Sequence, residues 1–265
     1  MSSEIYNNVK FNMYKLILDL PEQDSDRIAM VFHADRNEVQ SLMESFRQTV
    51  RTEAERMRAE TSIPASTAKR SIVFIGDSIT SDRESYMNTI RELYRDQPNV
   101  QIVDASISGD KSDDAVMRFY ERTLHYEPDV VCILIGTNDL RRNDDVYAAP
   151  CVSMQDIEKN LRYMIRLLKS RGVQIILTTI SPVINEQLKT RFPDSNWCYE
   201  PSEIDALNNM IHDLSVEYQI QLNDMRTTYA AYSPKEILLN DGLHLNALGQ
   251  RLLLRSTLQC LSKIL

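Results

Sequence analysis

The sequence predicts an α/β protein with a five-stranded parallel sheet covered on both faces, preceded by a helical N-terminal extension. Two observations carry this. From residue 71 onward, short apolar, β-branched runs alternate with helical patterns, which is how βαβ units are written. Residues 1 to about 60 are instead charged and helical in their periodicity.

In the extension, "DRNE" at 35–38 resembles a capping box, with Asp35 at the N-cap and Glu38 three residues on. Val39, Leu42, Met43, Phe46, Val50 and Met57 then recur at helical spacing, leaving Arg and Glu on the other face. The stripe is expected to pack on the protein's own core. A lid or a homo-oligomer contact through these helices is the alternative. "TSIPASTAKR", residues 61–70, is small, polar and Pro-containing and reads as a linker. The expected division is therefore an extension over 1–62 and a main domain over 70–265.

The strand runs of that domain are 71–75 (SIVFI), 100–104 (VQIVD), 129–135 (DVVCILI), 173–180 (VQIILTTI) and about 218–222 (YQIQL). Helical patterns intervene at about 84–95, 112–124, 154–170 and 203–217, and a last one covers about 246–263.

Bulk properties exclude some functions. A net charge of -8 argues against a general affinity for nucleic acid or anionic membrane. No basic segment leads into an apolar core with a small-residue cleavage site, and no apolar run approaches the roughly 18 residues of a membrane span. A cytoplasmic protein with no stable membrane association is expected. Cys132, Cys151, Cys198 and Cys260 lie far apart without a CxxC pair, so buried free thiols are expected and zinc is not. His33, His125 and His212 have no partners at metal-ligand spacing and are read as non-catalytic. There is no G-x-G-x-x-G, and "SGDKSDD" lacks both the upstream glycine and the Gly-Lys pair of a phosphate loop.

In a parallel sheet, functional groups collect beyond the carboxyl ends of the strands. The first strand exits into Gly76-Asp77-Ser78, the second into "ASISGDKS" with Gly109, and the third into "GTND" with Asn138. After the fifth, "NDGLHLN" supplies Asp241 and His244. These are parts of an acyl-transfer site. A serine hydroxyl needs a base within hydrogen-bond reach, and His244 is the candidate. Asp241, three residues earlier, can hold one ring nitrogen and stabilise the imidazolium. The backbone N–H groups of Ser78 and Gly109 and the Asn138 amide are candidate oxyanion donors. Of six glycines, four (76, 109, 136 and 242) fall in these segments, where positive φ or close backbone approach is useful.

The chain resembles the SGNH hydrolases, the GDSL-type esterase and lipase family, through "FIGDSIT", "DASISGD", "IGTND" and "DGLHLN". The resemblance covers about residues 70–263. It implies a flavodoxin-like three-layer α/β/α domain, Ser78 as nucleophile, Asp241 and His244 completing the triad, and oxyanion donors at Gly109 and Asn138. The second block opens with Asp104 where many members carry Asn, a change that bears on how that loop is braced. Residues 1–60 match nothing in the family core.

The expected activity is hydrolysis of carboxylic esters without metal or cofactor, on small acyl groups such as O-acetyl on a carbohydrate or similar alcohol. Lysophospholipase or thioesterase chemistry, acyl transfer to an alcohol, and an assembly protein with a vestigial site are the competing readings. Segments 109–114 and 139–145 hold six Asp against one Lys and two Arg, which disfavours a strongly anionic substrate. The long connection 184–203, with Phe192, Trp197 and Tyr199, reads either as a surface loop with a small satellite core or as a border of the acyl or alcohol pocket, with Trp197 as the substrate-binding candidate.

Overall fold

The computed structural model describes residues 3–13, 25–143 and 148–265. Among these residues three helices come first: α1 (Ser3–Lys10), α2 (Ser25–Val31) and α3 (Arg36–Glu60). Next are β1 (Arg70–Gly76), α4 (Ser78–Ser81), α5 (Tyr86–Leu93), β2 (Val100–Asp104), α6 (Ser112–Met117), α7 (Phe119–Arg122) and β3 (Val130–Leu134). The middle of the chain forms β4 (Arg142–Asn143), α8 (Met154–Lys169), β5 (Gln174–Thr178), α9 (Asn185–Arg191) and β6 (Trp197–Cys198). The chain closes with α10 (Pro201–Tyr218), β7 (Gln221–Asn223), α11 (Met225–Tyr229), α12 (Pro234–Ile237) and α13 (Ala247–Leu261).

Five of the strands form one parallel sheet in the order β2-β1-β3-β5-β7. This is the flavodoxin-like order, and its switch point lies between β1 and β3. β3 is buried along its whole length, and β1 from Ser71 on. Strands covered on both faces read as unbroken apolar runs, which is why they were visible in the sequence. Helices α3, α5 and α13 pack together as one layer, and α6, α8 and α10 as the other. The last strand starts later than its apolar run suggests. Tyr218 still belongs to α10, and Gln219 ends that helix in a left-handed conformation (φ 51°).

Asp35 caps α3, its Oδ1 accepting from the Glu38 backbone N–H at 3.0 Å. The stripe of α3 then serves two cores. Val39, Met43 and Phe46 pack with Val9, Ile28 and Ala29 in a small N-terminal cluster. Ala54 and Met57, one to two turns from its end, join the main core. Charged contacts fasten the same helix to the main unit. Arg251 pairs in bidentate fashion with Glu53 at 2.5 and 2.8 Å, Arg255 pairs with Glu60, and Arg58 donates to the Glu92 carbonyl at 2.8 Å.

The cysteines are all free. Cys132, Cys198 and Cys260 are buried, whereas Cys151 is exposed, a correction to the expectation of four buried thiols. No helix among the described residues is long and apolar enough to cross a membrane.

Gly76 ends β1 because nothing larger fits. A Cβ there would lie 2.3 Å from Thr80 Oγ1, 2.7 Å from Thr80 Cβ and 3.0 Å from the Leu134 carbonyl oxygen. Gly76→Ala is therefore expected to destabilise the fold by about 1–3 kcal/mol, the usual cost of overpacking. Thermal unfolding checks this, and an unchanged Tm would show that α4 yields without cost.

Candidate active site

The switch point between β1 and β3 brings four loops together. At the end of β1, Asp77 caps α4, its Oδ1 accepting from the Ile79 N–H at 2.9 Å. That local bond turns the chain at once and leaves Ser78, the next residue, at the mouth of the sheet. Ser78 is thus the first residue of the helix and not its cap.

The loop after β2 is stitched to β1. Ala105 N donates to the Phe74 carbonyl at 2.9 Å and Ile107 N to the Gly76 carbonyl at 3.0 Å. Asp104 braces this loop locally, its Oδ1 accepting from the Ser106 N–H at 2.9 Å and from the Ser106 hydroxyl. Gly109 follows with φ +86°, a conformation that L side chains rarely adopt. From the loop after β3, Asn138 Nδ2 donates to the Asp110 carbonyl at 3.1 Å. Asp139 accepts from the Ser112 N–H at 3.0 Å, tying the second and third loops together. The backbone N–H groups of Ser78 and Gly109 have no acceptor among the described residues.

The fourth loop lies between α12 and α13. Asp241 Oδ1 accepts from the backbone N–H groups of Leu243 (2.9 Å) and His244 (3.0 Å). Its Oδ2 lies 2.7 Å from His244 Nδ1, and His244 Nε2 lies 2.8 Å from Ser78 Oγ. Serine, histidine and aspartate form one hydrogen-bonded line. With Nδ1–H donating to the carboxylate, Nε2 is left as the acceptor facing the serine.

Electrostatics separates the carboxylates. Burial pushes Asp77 up to about 7, and it pushes Asp110 and Asp139 up to about 6. Burial would also raise Asp241, but the His244 hydrogen bond and charge and two backbone N–H groups hold it below its ordinary value. The aspartate facing the imidazole is thus kept as an anion. For Asp77 the linkage has a definite sign. Its folded-state value lies above the ordinary carboxylate value near 4, so its stabilising contribution is complete below about pH 4. That contribution is lost as pH rises through about 7. Asp77→Asn, which keeps a capping oxygen, is expected to gain Tm over the wild type at about pH 8 and not at about pH 4. A pH-independent difference would mean that Asp77 ionises alike in the folded and unfolded chain.

A cavity of about 170 Å³ opens on this line, with Ser78, Gly109, Asn138 and His244 in its lining. Trp197 and Phe192 line it too, from the 184–203 connection, with ring centroids 5.4 Å apart. The Arg141 guanidinium lies over the Trp197 ring at 4.5 Å. Trp197 is fixed by a two-residue antiparallel pairing of β4 with β6, too short to leave a pattern in the sequence. The acidic residues of 109–114 and 139–145 are largely engaged elsewhere: Asp110 with Arg118, Asp113 and Asp114 with Lys111, and Asp139 with Ser112. Asp144 and Asp145 lie outside the described residues. One neighbour of the histidine has no signature in the sequence: Phe11, from the N-terminal segment, stacks on it.

Residues 74–252 match the model of the GDSL-like lipase/acylhydrolase family. The chain belongs to that family. It thereby falls among the carboxylic ester hydrolases. Among curated relatives, "Uncharacterized lipoprotein YqeF" of Bacillus subtilis is 32% identical over 101 residues, 38% of this chain. That match spans only 40% of YqeF's own length. An arylesterase of Vibrio mimicus is 26% identical over 186 residues, covering 68% of this chain and 82% of that one. The solved structure of an acetyl xylan esterase, AlAXEase, superposes with a TM-score of 0.59 at 23% identity, covering 71% of this chain and 98% of that one. At that identity the likeness is one of fold. The GDSL-family match begins within β1, so α1 to α3 lie outside it.

Proposed function

We propose that the protein is a serine esterase that removes small acyl groups, acetyl above all, from a carbohydrate or similar alcohol. The observation that carries this reading is the line Asp241–His244–Ser78, with contacts of 2.7 and 2.8 Å, opening on a cavity of about 170 Å³. That is below the roughly 300 Å³ at which drug-sized pockets begin, which favours a short acyl chain.

In this reading Ser78 Oγ attacks the ester carbonyl carbon as His244 Nε2 takes its proton. The carbonyl π-bond opens to a tetrahedral oxyanion, facing the Ser78 and Gly109 N–H groups and Asn138 Nδ2. His244 returns the proton to the leaving alkoxide as the C–O bond breaks, and an acyl-Ser78 ester remains. Water attacks that ester as His244 takes its proton, and when the acyl C–Oγ bond breaks His244 returns the proton to Ser78 Oγ and the carboxylic acid leaves. Asp241 holds the tautomer and offsets the charge of the imidazolium. Trp197 and Phe192 give the alcohol or acyl group an aromatic wall.

Hydrolysis of p-nitrophenyl esters from C2 to C12 tests the reading. Activity should be highest at C2 to C4 and absent in Ser78→Ala. An optimum at C8 or beyond would contradict the small-acyl assignment while leaving the esterase chemistry standing.

A further inference from the structure

Residues 9–13 enter the site from outside the matched family region. Lys10, Phe11 and Asn12 are 6%, 5% and 1% exposed, so this short stretch is as buried as core. Its anchors are specific. Lys10 Nζ pairs with the buried Asp82 at 3.0 Å and with Glu84. Arg83 donates to this segment twice, from its backbone N–H to the Lys10 carbonyl and from Nε to the Val9 carbonyl, both at 2.9 Å. Asn12 Nδ2 donates to the Ser81 carbonyl at 2.5 Å. The Phe11 carbonyl accepts from the Ser108 hydroxyl and, at 3.5 Å, from the Ser81 hydroxyl. The segment therefore clamps the end of α4, which carries Ser78, to the loop that carries Gly109.

Between these anchors the Phe11 ring lies on the His244 imidazole, with centroids 4.0 Å apart and planes at 19°. One edge of His244 is fixed by Asp241 and the other faces Ser78, while this contact covers a face of the ring. Phe11 and Met13 also line the active-site cavity, joining Phe192, Trp197 and Leu243.

We propose that Phe11 is a positioning and specificity-determining residue: its stacked ring holds His244 in line with Ser78, and the segment bearing it limits the acyl chain. This rests on the esterase reading above. Two physical effects are involved. An aromatic face restrains rotation of the imidazole and favours the imidazolium that forms as Ser78 loses its proton. A wall supplied by residues 11–13 fixes the depth of a cavity whose other walls come from the hydrolase fold.

The test uses the full-length protein with p-nitrophenyl acetate, butyrate and octanoate. Phe11→Leu keeps a branched apolar side chain, smaller than the ring, and removes the aromatic face. Its kcat on acetate should fall about three- to tenfold, the worth of an aromatic pair, with KM little changed. Phe11→Tyr restores the face and should stay near the wild-type kcat. Phe11→Ala removes the wall, and its octanoate-to-acetate ratio of kcat/KM should rise by about tenfold or more. A merely structural role would not lengthen the preferred chain. Equal losses in Phe11→Leu and Phe11→Tyr, or wild-type kcat and chain preference in all variants, overturn the proposal while Ser78-dependent hydrolysis stands. Hydrolysis that survives in Ser78→Ala overturns the esterase reading and the proposal with it. Should Phe11→Ala fail to fold, the kcat of the Leu and Tyr pair decides the positioning role, and the octanoate-to-acetate ratio of Met13→Ala, at an exposed position of the same wall, decides the chain-length role.

Discussion

Ser78→Ala is expected to reduce kcat by about 10⁴–10⁶-fold, the scale seen when a nucleophile that works as one unit with its base is removed. The geometry explains why so small a change costs so much. His244 Nε2 has Ser78 Oγ as its hydrogen-bond partner at 2.8 Å, and without that oxygen no acyl-enzyme forms. What remains is the weak assistance of N–H groups and a cavity that orient an ester for attack by water. The fold should be untouched, because Ser78 makes no side-chain hydrogen bond besides that to His244 among the described residues. Steady-state hydrolysis with a Tm for each protein separates the effects. A variant with normal Tm and normal turnover would remove Ser78 from the reaction.

Asp241→Asn is expected to be nearly as damaging, lowering kcat by about 10³–10⁴-fold with the fold intact. An asparagine oxygen can still accept from the Leu243 and His244 N–H groups, as Asp241 Oδ1 does at 2.9 and 3.0 Å. The amide nitrogen then takes the place of Oδ2, 2.7 Å from His244 Nδ1. Two donors cannot face each other, so Nδ1 must become the acceptor and Nε2 must carry the proton. In that tautomer the imidazole cannot take a proton from Ser78. The negative charge that offsets the imidazolium is also gone. KM should move only a few-fold, because the loss lies in the transition state. A kcat within tenfold of wild type would show that Asp241 is only a bracket for the loop.

Much of this architecture was readable because its causes are local or periodic. Strands buried on both faces appear as apolar runs, and the small or positive-φ residues at their exits, Gly76, Gly109 and Gly136, mark where the chain must turn. Such exits meet at a switch point, so Ser78, Gly109 and Asn138 group from the strand pattern alone, whereas Asp241 and His244, two helices beyond the last strand, are marked by "DGLHLN". Other features left no such trace. The β4–β6 pairing that fixes Trp197 is two residues long, and alternation cannot show in two residues. The exposure of Cys151 depends on how a loop lies, which composition does not encode. Phe11 reaches His244 across more than two hundred residues of chain, through the buried Lys10–Asp82 pair and backbone carbonyls. A backbone carbonyl is the same in every residue, so those anchors have no sequence signature.

Whether Ser78 carries the acyl group can be read by a brief pulse of the wild-type protein with p-nitrophenyl acetate, acid quench, and intact-mass and peptide analysis of the product. One acetyl group per chain, located on Ser78 and absent from Ser78→Ala, is the predicted result. Rapid hydrolysis with no acetyl on Ser78, or acetyl on another residue at the same rate, would contradict it.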